Sequence, residues 1–506
     1  MRSSGVLLHI SSLPSPYGIG TLGKEAFAFV DFLKSAGQRY WQILPVGQTG
    51  YGDSPYQSVS SFAGNPYFID IDTLKKEKLL TKEEIEAHDA TCDKAHVNFE
   101  KLYNTRYPLL RKAYARFAKK IDNDFMNFCR DEQSWLDDYA LFMAIKNEQG
   151  GASFDSWEDS LKLRRKGAID KARRRLGNEI GFYKFMQYEF SKQWKALKKY
   201  ANENGILIIG DLPIYASRDS ADVWTNPHCF MLDENLRPKK VAGCPPDAFC
   251  DDGQLWGNPL YDWKYLRSHG YDFWCRRIER QMQFYDVLRI DHFRAFESFY
   301  AIPAEDTNAR RGKWTPGPGM SLFNAIKKKL GDLPIIAEDL GFITPEVAKL
   351  LSDSGFPGMK VLQFAFDSRE ESNYLPHTYK GRNSVVYVGT HDNDTAEGWM
   401  KEANPDDVAY AKRYLGLNSK EGYAWGLMRG AAASISDTAI YTMQDLLSLG
   451  NEARMNTPST SVGNWSWRME AMPKTSLAKK LYRFTSDFGR LVKEEKEKTD
   501  PCVSPP

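Results

Sequence analysis

The sequence predicts an α/β protein built as a (β/α)8 (TIM) barrel with large helical and loop insertions. Short apolar runs bounded by turn residues recur eight times along the 506 residues, and helix-like segments lie between most of them. Two much longer intervening segments account for the insertions. We therefore interpret residues 1–506 as one barrel. An open doubly wound sheet is the alternative, because it also alternates strands with helices.

The eight predicted strands are short and mostly apolar, as is typical of parallel strands buried on both faces. In chain order they are residues 5–10, 40–44, 206–210, 287–290, 335–337, 360–364, 384–388 and 439–442. The segment 25–36 predicts a helix, because its apolar residues fall on one helical face. Further helices are predicted at 345–351 and 423–433.

The first long segment, residues 46–205, is too long for a single crossover between strands two and three. It is largely charged and helical, with predicted helices at 75–88, 107–120 and 180–200, so we expect a mostly helical inserted subdomain. The second, residues 215–281, is rich in Pro, Gly, Trp and Asp. That composition favours a structured, lid-like insertion over the active site rather than a linker.

Charge and composition exclude several classes of function. Lys plus Arg minus Asp plus Glu is 68 − 66 = +2, so no global field attracts nucleic acid or an anionic membrane. The basic runs 164–166 and 173–175 then indicate a solvated helix face. No run approaches the roughly 20 apolar residues that span a bilayer. We expect neither a nucleic-acid nor a membrane partner, and oligomeric state is not readable.

Cysteine usage and the N-terminal sequence predict a cytoplasmic protein. The seven cysteines are odd in number and scattered without a CxxC pair, which disfavours disulfide and zinc frameworks. The apolar stretch 6–10 is too short for a signal peptide. A plastid stroma, after removal of a transit peptide, would fit the sequence equally.

Ionisable residues follow the ends of four of the five predicted apolar strands from three to seven, and only the sixth shows a weaker pattern. Asp211 follows strand three, Asp291 strand four, Glu338 strand five, and the run His391–Asp394 strand seven. In a barrel, the carboxyl ends of the strands meet at one rim, so we expect these acids to converge. Clustered carboxylates repel one another and cost stability unless a reaction or a metal requires them.

This cluster favours glycoside chemistry over metal binding. Arg289 and Asp291 are two residues apart in a strand, so they share a face and can pair, which would keep Asp291 ionised. One ionised and one protonated carboxylate are the groups that glycoside cleavage requires. The run 392–394 lacks EF-hand spacing, so we expect no metal and no cofactor. The 67 aromatic residues also suit stacking on sugar rings.

Motifs along essentially the whole chain resemble the 4-α-glucanotransferases (amylomaltases or disproportionating enzymes) of glycoside hydrolase family 77, in the α-amylase superfamily. Together they are highly specific, although AEDL alone would be weak. They are GVLLHISSLPSPYGIG (5–20), GQRYWQILP (37–45), YGDSPYQ (51–57), GNPY (64–67), GDLPIY (210–215), GQLWGNPLYDW (253–263), LRIDHF (288–293), AEDL (337–340), GTHDNDT (389–395) and GNEARMNT (450–457).

The resemblance implies a role for individual residues. Asp291 looks like the nucleophile, Glu338 the general acid/base and Asp392 the transition-state stabiliser. The remaining positions that match are implied to orient the nucleophile or to bind glucan: Arg289 as the orienting group, His391, Asp211 and Tyr56 around the cleaved sugar, Gln254, Trp256 and Asn258 as substrate contacts, and Tyr51 on a more distant glucan-binding surface.

Two departures qualify the resemblance. The GDLPIY segment lacks the histidine that most α-amylases carry in this region, which resembles family 77 rather than an ordinary amylase. Ala248 stands where many relatives are expected to carry an aromatic residue, so the sequence gives no support for acceptor-side stacking at that loop.

The implied activity is transfer of α-1,4-glucan segments from a maltooligosaccharide or starch donor to the 4-hydroxyl of glucose or another glucan. A retaining reaction through a glycosyl-enzyme would place the two reacting carboxyl groups roughly 5–5.5 Å apart. A plain α-glucan hydrolase and a glucan-binding protein on an inactive barrel remain alternatives. A phosphosugar enzyme is disfavoured, because no Gly-rich phosphate loop follows the late strands.

Overall fold

The computed structural model describes residues 2–50, 52–87, 93–246, 251–341, 343–367, 369, 372–460 and 462–492. Within them the strands are β1 (Ser3–Leu7), β2 (Tyr40–Gln42), β3 (Leu207–Leu212), β4 (Lys240–Cys244), β5 (Gln254–Pro259), β6 (Val287–Ile290), β7 (Ser298–Pro303), β8 (Lys313–Pro316), β9 (Ile335–Ala337), β10 (Gly358–Val361), β11 (Ser384–Tyr387) and β12 (Thr438–Thr442).

The α-helices alternate with these strands over much of the chain. They are α1 (Lys24–Ser35), α2 (Ile71–Lys76), α3 (Lys82–Glu86), α4 (Phe99–Phe117), α5 (Asn123–Asp131), α6 (Gln133–Glu148), α7 (Asp159–Lys162), α8 (Lys166–Arg175), α9 (Gly177–Glu203), α10 (Ala221–Thr225), α11 (Trp263–Ser268), α12 (Asp272–Phe284), α13 (Met320–Leu330), α14 (Pro345–Ser354), α15 (Ala396–Glu402), α16 (Pro405–Leu415), α17 (Tyr423–Ala433), α18 (Met443–Leu446) and α19 (Thr475–Asp487).

Eight parallel strands form the barrel, in the order β10-β11-β12-β1-β2-β3-β6-β9. The two ends of this order meet where the amide of Ala337 in β9 donates to the carbonyl of Pro357, just before β10, at 2.9 Å. All eight predicted strands overlap an observed barrel strand. The predicted TIM barrel is therefore confirmed, and the doubly wound alternative is wrong.

The barrel interior is filled by side chains that point inward from the strands, so it is a packed core. These interior side chains are almost completely buried, and they are Leu7, Ile209, Ile336, Met359, Val385, Tyr387 and Ile440. A much larger apolar core lies between the strands and the surrounding helices. No helix of the described residues is long and apolar enough to cross a membrane.

Some predicted boundaries are wrong for local reasons. The predicted strand 360–364 begins earlier, as β10, and gives way to a 3-10 turn at Leu362–Ala365. The predicted helix 75–88 is two short helices, because Lys78 takes a left-handed φ of 62° and Thr81 starts α3 with a capping box. Residue 88 lies outside the described residues.

Between β2 and β3 the described chain is dominated by helices. The 27-residue helix α9 packs against α1 and α12, which precede β2 and β6, and so covers the outside of the barrel before β3. Helices α4, α5 and α6 pack on α9 in turn. This arrangement places the segment before α2, which includes Tyr56, beside the barrel mouth.

A second, antiparallel sheet has the order β5-β4-β7-β8. Two of its strands come from the segment 215–281, and the other two follow β6. None of these four strands is predicted from the sequence, because they are short and most contain Gly or Pro. The sheet holds the segment that carries Gln254, Trp256 and Asn258 against the chain that follows β6.

Arg277 on α12 binds several loops together behind the barrel mouth. Its guanidinium donates to the carbonyls of Pro213 and Ile214, both at 2.6 Å, to the Tyr261 hydroxyl at 2.9 Å and to the Ser61 hydroxyl at 2.9 Å. The side chain is buried. Arg277 therefore fixes the backbone of the loop after β3.

Replacing Arg277 with Met should lower the free energy of unfolding by about 1–3 kcal/mol or more, because buried carbonyl groups would lose their hydrogen-bond donors. Urea or thermal unfolding of the two proteins measures the difference. Arg276→Met on the same helix is the matched control, since Arg276 forms a more exposed pair with Asp272 and should matter by about 0.5 kcal/mol or less. Equal effects of the two substitutions would contradict this account.

Candidate active site

The carboxyl ends of four barrel strands bring the predicted acids to one rim. Asp211 lies in β3 directly opposite Arg289 of β6, and this register explains why the two side chains meet inside the barrel. Asp291 follows β6 and Glu338 follows β9. Asp392 follows β11 after a short turn.

Arg289 is the cation at the centre of this rim. Its Nη1 donates to both carboxylate oxygens of Asp211 at 2.7 Å and to Oδ1 of Asp291 at 2.9 Å. Arg289 and Asp211 are 3% and 1% exposed. Burial acts to lower the pKa of Arg289, but the two carboxylates raise it well above its usual range. The guanidinium is therefore a fixed positive charge.

Glu338 is held by backbone donors on both carboxylate oxygens. Oε2 accepts from the amide of His292 at 2.7 Å, and Oε1 accepts from the amide of Leu340 at 2.8 Å. His292 has a left-handed φ of 54°, so the chain turns sharply after Asp291. Burial raises the pKa of Glu338, against the opposing effect of Arg289 and of these amides. A carboxyl placed in this way can hold a proton.

The surroundings of Asp291 favour its protonated form more than its ion pair with Arg289 alone would suggest. Burial raises the pKa of Asp291 well above its usual range, and the carboxylates of Asp211, Glu338 and Asp392 act in the same direction, whereas Arg289 opposes them. The expectation that Arg289 alone keeps Asp291 ionised is therefore incomplete.

His391 and Tyr56 form one wall of the rim. The Tyr56 hydroxyl donates to Oδ2 of Asp211 at 2.7 Å, and its ring stacks on His391 with centroids 5.2 Å apart. His391 Nε2 lies 3.3 Å from Oδ1 of Asp392. Burial lowers the pKa of His391. A neutral imidazole then offers Asp392 one N–H without adding a full charge.

A cavity of about 640 Å³ opens above these groups. Asp291 and Asp392 lie on its lining, with Tyr56, and so do the three residues predicted on the second insertion: Gln254, Trp256 and Asn258. Trp256 donates its indole N–H to Gln254 at 3.0 Å and packs edge-on against His292 at 4.9 Å. Asn258 donates to the carbonyl of Ala216 at 2.9 Å, which fixes its amide.

Two positions from the sequence analysis fall outside the described residues, namely Tyr51 and Ala248. The more distant glucan surface and the acceptor loop therefore remain predictions from the sequence. Among the described residues, no group of three or more His, Cys, Asp or Glu is arranged to hold a metal ion.

Several cavity residues were missed by the sequence analysis. Gln57 pairs with Asn258 at 3.2 Å, and Trp465 packs against Tyr56 with ring centroids 5.7 Å apart. Asn456 donates to Oδ1 of Asp392 at 2.7 Å, and Arg454 donates to the Asp392 carbonyl. The GNEARMNT motif contained the last two, but only the fold shows what they contact.

Comparisons with known proteins identify the family to which the chain belongs. A family model described as 4-alpha-glucanotransferase matches residues 8–474. A 4-alpha-glucanotransferase of Clostridium butyricum is 51% identical over 486 residues, covering 96% of this chain and 100% of the relative. One from Thermus thermophilus is 47% identical over 478 residues, covering 92% and 95%.

A solved structure gives the same result in three dimensions. The amylomaltase of Streptococcus agalactiae, determined in complex with acarbose, superposes with a TM-score of 0.94 at 42% identity, covering 97% of this chain and 100% of that one. The sequence similarity extends through the segments that carry the acidic rim. The chain therefore belongs to the 4-α-glucanotransferase family, glycoside hydrolase family 77, and is an enzyme of that class.

Proposed function

We propose that this 4-α-glucanotransferase acts by retention, with Asp291 as the nucleophile and Glu338 as the general acid/base. The observation that carries the proposal is the placement of these two carboxyl groups around one turn of the chain, with Glu338 buried and the Asp291 side chain 27% exposed on the cavity lining. Asp291 is bonded to Arg289, and the next residue, His292, donates its amide to Glu338. Burial raises the pKa of both groups, and the ion pair with Arg289 opposes this effect at Asp291 and so favours its ionised form.

The proposed first step forms the glycosyl-enzyme. A carboxylate oxygen of Asp291 attacks the anomeric carbon as the C1–O4 bond breaks, and Glu338 gives its proton to the departing O4. In the second step Glu338 takes the proton from the 4-hydroxyl of an acceptor glucan, and that oxygen displaces Asp291 from C1. Each carboxyl group returns to its starting state, so no external oxidant, reductant or metal enters the balance.

Asp392 and the surrounding polar groups would stabilise the oxocarbenium-like transition state. Asp392 lines the cavity and keeps its second carboxylate oxygen without a protein hydrogen bond among the described residues. We assign to it the sugar hydroxyls beside the anomeric carbon. Tyr56, stacked on His391 and bonded to Asp211, would support the same ring.

The proposed substrates are α-1,4-glucans: a maltooligosaccharide or starch chain as donor, and glucose or another glucan as acceptor. The cavity joins carboxylates to aromatic and amide side chains, the mixture that sugar rings and hydroxyls require. The Streptococcus agalactiae relative has been determined with acarbose. Residues 215–281 would act as a structured cover through Gln254, Trp256 and Asn258, while residues 46–205 form the inserted helical part and supply Tyr56.

We also propose that the enzyme works in the cytoplasm. Among the described residues, the free cysteines include Cys129, Cys229 and Cys275. Free thiols of this kind, two of them buried, suit a reducing compartment.

The direct test is incubation with pure maltotriose, following the product ladder and total reducing ends. We expect glucose and longer oligomers at constant reducing ends for the wild type. Asp291→Asn should lower kcat by at least about 10³-fold, because it removes the nucleophile. Asp353→Asn, in an exposed pair with Lys349, is the matched control. Rising reducing ends without longer products would instead indicate hydrolysis.

Retention is tested separately with Glu338→Ala and α-maltosyl fluoride. Fluoride leaves without protonation, so the first step should still proceed, and azide needs no general base for the second. Added azide should therefore raise turnover and give α-maltosyl azide. Asp291→Ala should give the β product, because azide then attacks from the vacated face. A β product from Glu338→Ala would reverse the two assignments.

The acidic limb of the pH profile of kcat/KM should depend on the positive charge of Arg289. Removing its charge raises the pKa of Asp291, and ionised Asp291 is needed for attack, so the acidic limb should move to higher pH. We expect Arg289→Gln to shift that limb by roughly 1–3 units. Arg289→Lys retains a cation and should shift it less. An acidic limb that stays in place or moves to lower pH would contradict the assignment.

A further inference from the structure

Arg454 makes two contacts with the segment that carries Asp392 and one contact within its own loop. Its Nη2 donates to the carbonyl of Asp392 at 2.7 Å, its Nε donates to the carbonyl of Asn456 at 2.8 Å, and its Nη1 forms an ion pair with Asp394. The side chain is 20% exposed. One planar guanidinium therefore ties together two loops that are about 60 residues apart in the sequence.

Asn456 connects this brace to the carboxylate of Asp392. Its side-chain amide donates to Oδ1 of Asp392 at 2.7 Å, and its backbone amide donates to the carbonyl of His391 at 3.1 Å. Oδ1 of Asp392 thus accepts a hydrogen bond from Asn456, and Nε2 of His391 lies 3.3 Å from the same oxygen. The rotation of the Asp392 carboxylate is set by a residue whose own backbone Arg454 holds.

The other end of the brace is anchored in the barrel. Oδ1 of Asp394 also accepts from Asn451 at 3.1 Å, and the Asp394 carbonyl accepts from the Gln363 side chain just after β10 at 2.8 Å. Because Asp394 neutralises Arg454 directly, the guanidinium adds little net charge next to Asp392. Its effect on Asp392 is therefore one of geometry rather than of charge.

We propose that Arg454 is a positioning residue for the transfer reaction, which fixes the carboxylate of Asp392 through Asn456 and through the Asp392 backbone. The inference rests on the transition-state role of Asp392 proposed above. A carboxylate that stabilises developing positive charge must be oriented before the reaction, and misplacement by about 1 Å can cost on the order of 10²-fold in rate. Arg454 supplies this orientation although it touches no reacting atom.

The first experiment measures kcat and KM for maltotriose in Arg454→Gln. We expect kcat to fall on the order of 10²-fold, with KM changed by less than about twofold, because the interaction is needed in the transition state only. Arg429→Gln is the control, since Arg429, 33% exposed, bonds Glu421 and the carbonyl of Leu415 and, among the described residues, has no hydrogen bond to either of these loops. Its kcat should not change.

A general loss of folding is separated from a positioning effect by comparing melting temperatures of the two variants. Asn456→Ala removes the contact with Asp392 and leaves the Arg454–Asp394 pair, so it should lower kcat in the same way even if Arg454→Gln folds poorly. A normal kcat in folded Arg454→Gln, or in Asn456→Ala, would overturn the inference.

A double-mutant cycle shows whether Arg454 acts through Asp392. Single-turnover rates with α-maltosyl fluoride are compared for Arg454→Gln, Asp392→Asn and the double variant. We expect the double variant to react at the rate of Asp392→Asn, because nothing remains for Arg454 to orient. If the double variant instead shows the product of the two single rate reductions, the inference about Arg454 is wrong, while the proposed role of Asp392 still stands. An undiminished rate in Asp392→Asn would overturn the proposed role of Asp392 and this inference with it.

Discussion

The structure of the rim depends on one buried guanidinium. Arg289 joins Asp211 and Asp291 inside the barrel mouth, where each of these carboxylates would otherwise repel its neighbours. Removing one partner of such a buried pair costs about 3–5 kcal/mol in general, because an uncompensated charge is left behind. Arg289 is therefore required for the charge pattern of the rim, and perturbed carboxyl groups clustered in this way are characteristic of functional sites.

Around this cation the acids are held by different means. Glu338 is fixed by two backbone amides, Asp392 by the amide of Asn456, and Asp291 by Arg289 itself. These differences give each carboxyl group a different balance between burial and hydrogen bonding. A single type of side chain can then serve as nucleophile, acid/base and stabiliser in one small space.

The outer parts of the fold position the loops around the cavity and do not carry the acidic residues of the rim. Arg277 fixes the loop after β3 from behind, and the antiparallel sheet positions the strand with Trp256. The long helix α9 covers the barrel and supports the other helices of the first insertion. A cavity built in this way has polar side chains that buried contacts orient before any ligand binds.

The sequence by itself determined the eight barrel strands and the acids at their ends. Periodicity and short apolar runs report burial directly, and a barrel places every strand end at the same rim. Helix 423–433 was likewise predicted with its observed bounds, Tyr423–Ala433. The pairing of Arg289 with Asp291 followed from the alternation of side chains along one strand.

Only the tertiary structure decided contacts between distant segments. Short strands such as β4 and β8 exist because partners cover them, and their sequences lack a clear pattern. Asn456 contacts Asp392 from 64 residues further along the chain, and Trp465, on the same loop, packs against Tyr56 from near the N-terminus. No local sequence signal encodes either contact. The pKa of Asp291 was also decided there, because burial depends on everything that surrounds the carboxyl group.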